Sequence, residues 1–204
     1  MGGSVSKPLV RIGFPMFDWL WKKSPPPDPP SVDRVWRDLG ARDRALIREA
    51  ANRDLALVAF FEATATHVRE QLLRARPDSA PEVRLAVDVG KLRRPPAILV
   101  VERHPHPEEN RALLIRLSEL APGVVPTFFS AIDDPLMRTF GGDRIVALLD
   151  ALGLEPDEPI EHRMVSEAMA NARRKVADRL GSGPPARARS MEEWFTRNGI
   201  SPKP

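Results

Sequence analysis

The amino-acid sequence predicts an α/β protein, with a mostly parallel sheet flanked by helices and a helical C-terminal extension. The apolar run LALVAFF at residues 55–61 is typical of a strand that is buried on both faces. Such runs alternate with segments whose apolar residues recur at helical spacing, and this alternation favours parallel strand pairing. From residue 134 onwards the apolar spacing is helical, which predicts the extension.

The first predicted elements are a helix, a strand and a second helix. Residues 32–51 carry apolar residues at roughly helical spacing, with Ser31 or Asp33 as the expected N-cap. The strand at 55–61 follows, and residues 64–74 predict an amphipathic helix. The residues expected on its apolar side are Val68, Leu72 and Leu73.

Three further strands and one helix are predicted in the middle of the chain. The segments 82–87 and 97–101 are strand candidates, and residues 107–120 predict a helix with a proline in its first turn. The run at 124–129 predicts another strand. Because Pro126 has no N–H to donate, we expect this strand either at an edge of the sheet or with a shortened pairing.

The C-terminal part of the sequence predicts four helices. Three lie at residues 134–140, 143–152 and 161–180. A short terminal helix begins at Ser190, which forms a capping-box pattern with Glu193.

A proline-dense segment divides the chain into a short N-terminal part and one domain. SPPPDPPS at residues 24–31 predicts an extended spacer. We therefore expect an aromatic segment and linker at 1–31, a domain at 32–180, and a linker with the short helix at 181–204. The residues 8–23 carry Trp19 and Trp21, and they fit three alternatives: a helix on a membrane surface, a docking peptide, or a segment packed on the core.

Composition excludes several classes of function. There are no cysteines, so disulfides, zinc–thiolate sites and thiol nucleophiles are excluded. The 31 basic and 28 acidic residues nearly balance to +3, and no basic stripe calls for a nucleic-acid partner. No apolar run is long enough to predict a transmembrane helix. We expect a cytoplasmic protein that can lie at the membrane periphery.

No catalytic, cofactor or metal site is predicted. His104 and His106 have the spacing of an extended metal-binding pair, but the flanking prolines favour a rigid loop. The neighbours at 161–162 diverge on a helix and cannot act together. Asp133 and Asp134 are expected to cap the helix that follows them.

Residues 127–176 resemble the second motor domain of the SecA preprotein translocase family. The matching motifs are FFSAIDDPLMRTFGGDRI, LGLEPDEPIEH and NARRKV, in the family's order, and VVERH at 100–104 keeps the family's spacing upstream. The resemblance covers residues 32–178 and implies a RecA-like fold. It also implies a link to protein translocation.

The sequence departs from the family where nucleotide would bind. The Gly/Arg/Gln-rich motif whose arginines reach the ATP γ-phosphate is replaced by a leucine-rich helix, and only Arg116 aligns with a family arginine. Arg103 and His104 match the family's Glu-Arg-His element. The resemblance implies that these two residues and Arg116 are remnants of the surface that faces the nucleotide in the family. Gly90-Lys91 lacks the flanking residues of a P-loop. We therefore expect no ATPase activity.

The resemblance and its departures predict a non-catalytic protein-interaction or regulatory module. The alternative is an accessory nucleotide-binding domain that completes an ATPase site in trans. We expect a protein partner, contacted by charged residues that match the family and by the aromatic tails. These candidates are Arg138, Asp143, Arg144, Glu161, Trp19, Trp21, Trp194 and Phe195.

Overall fold

The fold contains a five-stranded, all-parallel sheet flanked by helices, as the sequence predicts. The computed structural model describes residues 28–93, 95–140, 145, 155, 157–160, 163–180 and 185–201. The strands are β1 (Val32–Trp36), β2 (Ala56–Ala59), β3 (Val83–Leu85), β4 (Ile98–Val100) and β5 (Thr127–Ala131). Their spatial order is β1-β5-β4-β2-β3, and every pair is parallel.

Six α-helices and one 3₁₀ helix connect or follow these strands in the described part of the chain. The 3₁₀ helix spans Ala86–Lys91. The α-helices are α1 (Leu39–Asn52), α2 (Glu62–Ala75), α3 (Pro107–Leu120), α4 (Pro135–Phe140), α5 (Arg163–Leu180) and α6 (Met191–Arg197). Among the described residues, none of these helices has both the length and the apolar character needed to cross a bilayer.

The two faces of the sheet carry separate cores. Trp36 and Phe129 lie 4.5 Å apart between ring centroids on the face that α1 and α2 cover. Val100 and Phe128 are neighbours in the register of β4 and β5 and face α3 on the opposite side. Alternate residues of each interior strand are therefore buried on opposite faces, which explains why the strands read as continuous apolar runs.

The predicted helix at 32–51 is wrong at its N-terminal end. Residues Val32–Trp36 form the edge strand β1, with Val35 and Trp36 buried on opposite faces. The helix begins only at Leu39, and Asp38 caps it by accepting a hydrogen bond from the Ala41 N–H at 2.8 Å. The apolar residues of this strand, Val32, Val35 and Trp36, have helical spacing, so the pattern does not distinguish the strand from the helix that follows.

Of the two alternatives predicted for the proline-containing strand, the edge position is wrong, and the strand is instead shortened so that it begins after Pro126. β5 lies between β1 and β4. Pro126 immediately precedes the strand, and its carbonyl accepts a hydrogen bond from the Val32 N–H at 3.0 Å. The proline therefore removes no donor from within the ladder.

The remaining helix predictions fall into three groups. Residues 107–120 form a helix with the predicted bounds, and α2 buries Val68 and Leu72 but leaves Leu73 47% exposed. α5 agrees with the later part of 161–180. The helix predicted at 143–152 lies outside the described residues except at position 145, which is helical.

The C-terminal helix α6 packs into the core. Trp194 is 2% exposed and Phe195 is 5% exposed, in a cluster that also contains residues of α4 and α5. Ser190 caps the helix by accepting a hydrogen bond from the Glu193 N–H, and Glu193 in turn accepts one from the Arg189 N–H. The expectation that Trp194 and Phe195 form a partner-binding surface is corrected, because both side chains are buried in this cluster.

Candidate functional site

The candidate site is the crevice at the carboxyl ends of the strands, between β2 and β4. The chain leaves β2 towards β3 and leaves β4 in the opposite direction towards β5. Such a switch point is where ligands bind in open parallel sheets. We call this feature the carboxyl-edge crevice. It has a volume of about 190 Å³ and is lined by α1, α2, the ends of β4 and β5, and residues 190–192.

Glu102 occupies the centre of the carboxyl-edge crevice. It lies two residues after the end of β4 and is 3% exposed. One carboxylate oxygen accepts hydrogen bonds from the N–H groups of Phe60 and Phe61, both at 3.2 Å, and the other accepts one from the Thr64 hydroxyl at 2.7 Å. The free N–H groups at the start of a helix attract anions. Here the protein's own carboxylate takes the N–H groups of the two residues that immediately precede α2.

Arg42 and Asp134 form a buried charge pair in the crevice. The Arg42 guanidinium lies 3.6 Å from the Asp134 carboxylate and donates hydrogen bonds to Asp43 and to the Val101 carbonyl. Asp134 accepts a hydrogen bond from the Ala131 N–H at 2.9 Å. The predicted role of Asp134 as a side-chain cap is therefore corrected, because its carboxylate bonds backwards to β5 instead of forwards into α4.

The electrostatics of the crevice disfavour added negative charge. Burial raises the pKa of Glu102 to about 7, although the Thr64 hydrogen bond and Arg42 act in the opposite direction. Burial likewise raises the pKa of Asp134 to about 6, opposed mainly by Arg42. Burial lowers the pKa of Arg42, but the attraction of Asp134 and Asp43 outweighs this effect and leaves it raised. Arg42 is therefore shared among the carboxylates of Asp134, Asp43 and Glu102. A bound phosphate would be repelled by these carboxylates.

His104 belongs to an aromatic cluster at the C-terminal end of β4. Its ring stacks on Phe61 at 5.2 Å with 19° between planes, and Trp194 meets it edge-on at 5.4 Å. Its Nδ1 accepts a hydrogen bond from the His106 N–H at 3.0 Å. Burial lowers the pKa of His104 to about 3, so the ring is neutral at physiological pH. This arrangement holds α6 over the end of the sheet.

The three residues that the resemblance predicts to be vestiges of a nucleotide site do not form one site. Arg103 lies over the Phe128 ring and donates a hydrogen bond to Asp33, whereas His104 lies in the aromatic cluster. Arg116 is on α3 beside Gly90, in a different depression of the surface. The fold therefore does not assemble these residues into one site.

The candidate partner-binding residues are only partly described. Arg138 lies on α4 with its side chain 58% exposed, 3.7 Å from Glu192 of α6. The other charged candidates and the N-terminal tryptophans lie outside the described residues. These are Asp143, Arg144, Glu161, Trp19 and Trp21.

Sequence reasoning missed most of the crevice. The position of Glu102 could have been predicted, because this residue comes directly after the predicted strand at 97–101. Parallel strands align their carboxyl ends at one edge of the sheet, where ligands bind. Arg42, Asp43 and Thr64 lie on helices with many other polar residues, and only the tertiary fold distinguishes them.

These features define an α/β domain with a parallel sheet and a carboxyl-edge crevice whose buried charges are paired within the protein. Comparison with curated proteins finds protein translocase subunit SecA. The SecA of Acinetobacter baumannii is 43% identical over 82 residues, and that of Solidesulfovibrio magneticus is 44% identical over 79 residues. The SecA of Acetivibrio thermocellus is 39% identical over 82 residues.

The similarity covers part of this chain and a small part of each relative. It extends over 40%, 39% and 40% of this chain for these three proteins, and over 9% of each SecA. No protein-family model matches the chain. The chain is therefore similar to SecA over about two fifths of its length and spans about a tenth of the length of the relatives that it matches.

Proposed function

We propose that this protein is a non-catalytic protein-interaction or regulatory module, derived from the second motor domain of a SecA-type translocase and linked to protein translocation. The observation that carries the proposal is the position of Glu102. Its carboxylate takes the N–H groups of Phe60 and Phe61 at the start of α2, at the switch point of the sheet. A nucleotide phosphate would have to displace a buried, threefold hydrogen-bonded carboxylate.

The C-terminal helix supports the same proposal. α6 covers the end of the sheet through Trp194 and His104, and Arg189 pairs with Glu62 in the first turn of α2 at 2.8 Å. In a nucleotide-binding domain this edge faces the ligand. Here we expect it to remain closed, so that the protein acts through its outer surface.

The alternative function is completion of an ATPase site in another protein. The two arginines of this chain that could serve it, Arg103 and Arg116, are poorly placed to reach a nucleotide there. Arg103 is 7% exposed and bonded to Asp33, and Arg116 lies on the side of α3 near the 3₁₀ helix. An arginine that stabilises a transferring phosphoryl group must reach out of its own domain.

The proposal is tested by measuring binding of the purified chain to the purified SecA and SecA-containing membranes of its source organism. The variant Arg138→Glu/Arg144→Glu reverses two charges on the candidate surface and should abolish binding while changing stability by no more than about 1 kcal/mol. The matched control Arg163→Glu/Arg74→Glu alters exposed arginines of α5 and α2 and should bind normally.

Two results would count against the proposal. If the wild-type protein binds neither SecA nor the membranes, the proposed link to protein translocation is contradicted. Equal binding by the charge-reversed variant and the control would remove the candidate surface. Stimulation of the partner's ATPase that depends on Arg116 would instead support the trans-acting alternative.

A further inference from the structure

A groove between α3 and α5 lies on the opposite side of α3 from Arg116 and apart from the carboxyl-edge crevice. It encloses about 290 Å³. Three arginines face it: Arg103 from the segment after β4, and Arg173 and Arg174 from α5. We call it the arginine groove. Asp28 and Asn110 also line it, so it is not uniformly basic.

Arg103 forms a fixed part of the arginine groove. Its guanidinium lies 3.5 Å from the centre of the Phe128 ring. Its Nε donates a hydrogen bond to Asp33 at 2.6 Å, and its Nη2 donates one to the Ser31 hydroxyl at 3.1 Å. Stacking and two hydrogen bonds hold a planar cation in one orientation, which is the preorganisation that anion recognition uses.

Arg173 and Arg174 carry positive charge that the described residues leave unpaired. Neither side chain forms a hydrogen bond or ion pair within the described part of the chain, whereas Arg111 of α3 pairs with Asp28 at 3.4 Å. Arg173 is half-buried. Burial and the nearby charge of Arg103 lower its pKa to about 10, although Asp33 and Asp28 partly compensate. A half-buried arginine next to another arginine is costly unless an anion joins them.

The balance of charge indicates which anion fits. Asp33 offsets Arg103, and Asp28 offsets Arg111. Two positive charges remain, on Arg173 and Arg174. A phosphate monoester carries about −1.5 to −2 charges at pH 7 and offers three acceptor oxygens. Guanidinium groups bind such oxygens in a bidentate manner, and the volume suits a small phosphorylated group.

We propose that the arginine groove binds a phosphate monoester, with Arg173 and Arg174 as its main ligands and Arg103 as a fixed third donor. The phosphoryl group comes either from a soluble phosphorylated molecule or from a lipid headgroup. This site is independent of the proposed function, since it requires neither hydrolysis nor the crevice that Glu102 fills.

The experiment measures the melting temperature of the full chain in inorganic phosphate and in chloride of equal ionic strength. Phosphate should raise the melting temperature of the wild type and of the control Arg163→Gln, which alters an exposed arginine of the same helix. Arg173→Gln should abolish the increment. In chloride, that variant should melt no lower than the wild type, because the change removes a like-charge contact.

A second variant tests the site even if Arg173→Gln does not fold. Two further probes distinguish a soluble phosphorylated molecule from a lipid headgroup. Arg174→Gln alters an exposed residue and should weaken phosphate binding about tenfold or more, as the loss of a charge-assisted hydrogen bond predicts. Glycerol 1-phosphate tests the soluble source, and co-sedimentation with phosphatidic-acid vesicles tests the lipid source. Equal melting in phosphate and chloride, or an undiminished increment in both variants, would overturn the proposal.

Discussion

Trp194 lies edge-on against His104, with 5.4 Å between the ring centroids and 81° between the ring planes. This contact joins the last helix of the domain to the segment that follows β4. It places α6 over the end of the sheet, so that the C-terminal tail contributes to the core instead of extending from it.

The first prediction concerns this covering helix. Trp194→Ala should lower the free energy of unfolding by about 3–5 kcal/mol, because it removes a large side chain that is 2% exposed. Urea denaturation measures the effect. Val87→Ala, at a position 73% exposed, should change the free energy by less than about 0.5 kcal/mol. A small effect at Trp194 would mean that α6 does not pack on the sheet in solution.

The second prediction concerns the pH dependence that Glu102 contributes. Its folded-state pKa of about 7 lies above the usual value of 4.5, so the folded protein holds a proton that the unfolded chain releases. The resulting stability is present below pH 4.5 and is lost as the pH rises towards 7. Glu102→Gln keeps the shape of the side chain and should remove this loss, which is about 3 kcal/mol at most.

The measurement is the difference in unfolding free energy between wild type and Glu102→Gln across pH 4.5 to 7.5. Taking the difference removes the pH dependence that other groups contribute to both proteins. The raised pKa of Asp134 also lowers stability as the pH rises. The pKa of His104, lowered to about 3, has the opposite effect on stability. The exposed control Glu119→Gln should run parallel to the wild type. Parallel curves for Glu102→Gln would show that its carboxylate is not buried.

The third prediction concerns the buried pair of Arg42 and Asp134. Arg42→Met should destabilise the protein by about 3–5 kcal/mol at neutral pH, because it leaves buried carboxylates without a cation. The cost should shrink at pH 5, where the carboxylates gain protons. Adding Asp134→Asn to this variant should restore part of the stability. A double-mutant cycle measures the coupling, and simple additivity would contradict the pairing.

The fourth prediction concerns the apolar side of α5. Met169→Asp or Val176→Asp should destabilise the chain by a few kcal/mol, since both positions are buried in the core. Met164→Asp is a matched control on the same helix, at a residue 46% exposed, and should have a much smaller effect. Unchanged melting with lost self-association would instead make this side of α5 an interface between copies.

The sequence predicted the helices and strands whose apolar pattern is unambiguous. It did not predict the strand whose apolar spacing runs into that of a helix, or the site that is built from buried charged residues. The all-apolar run of β2, and the amphipathic α3 with a proline in its first turn, needed no tertiary information. The strand at Val32–Trp36 was missed because its five residues merge into the spacing of α1. The crevice was missed because Arg42 and Glu102 are 60 residues apart, and only the parallel sheet brings them together.

We propose above that Glu102 takes the backbone N–H groups a phosphate would need in the carboxyl-edge crevice, so that the crevice does not accept nucleotide. Titration of the isotope-labelled chain with magnesium-ATP, followed through the amide signals of Phe61 and Thr64, tests it most directly. We expect both signals to stay unchanged and no phosphate to be released, even if signals of Arg173 in the arginine groove respond. Saturable shifts at Phe61 and Thr64, accompanied by ATP turnover that Arg42→Met abolishes, would contradict it.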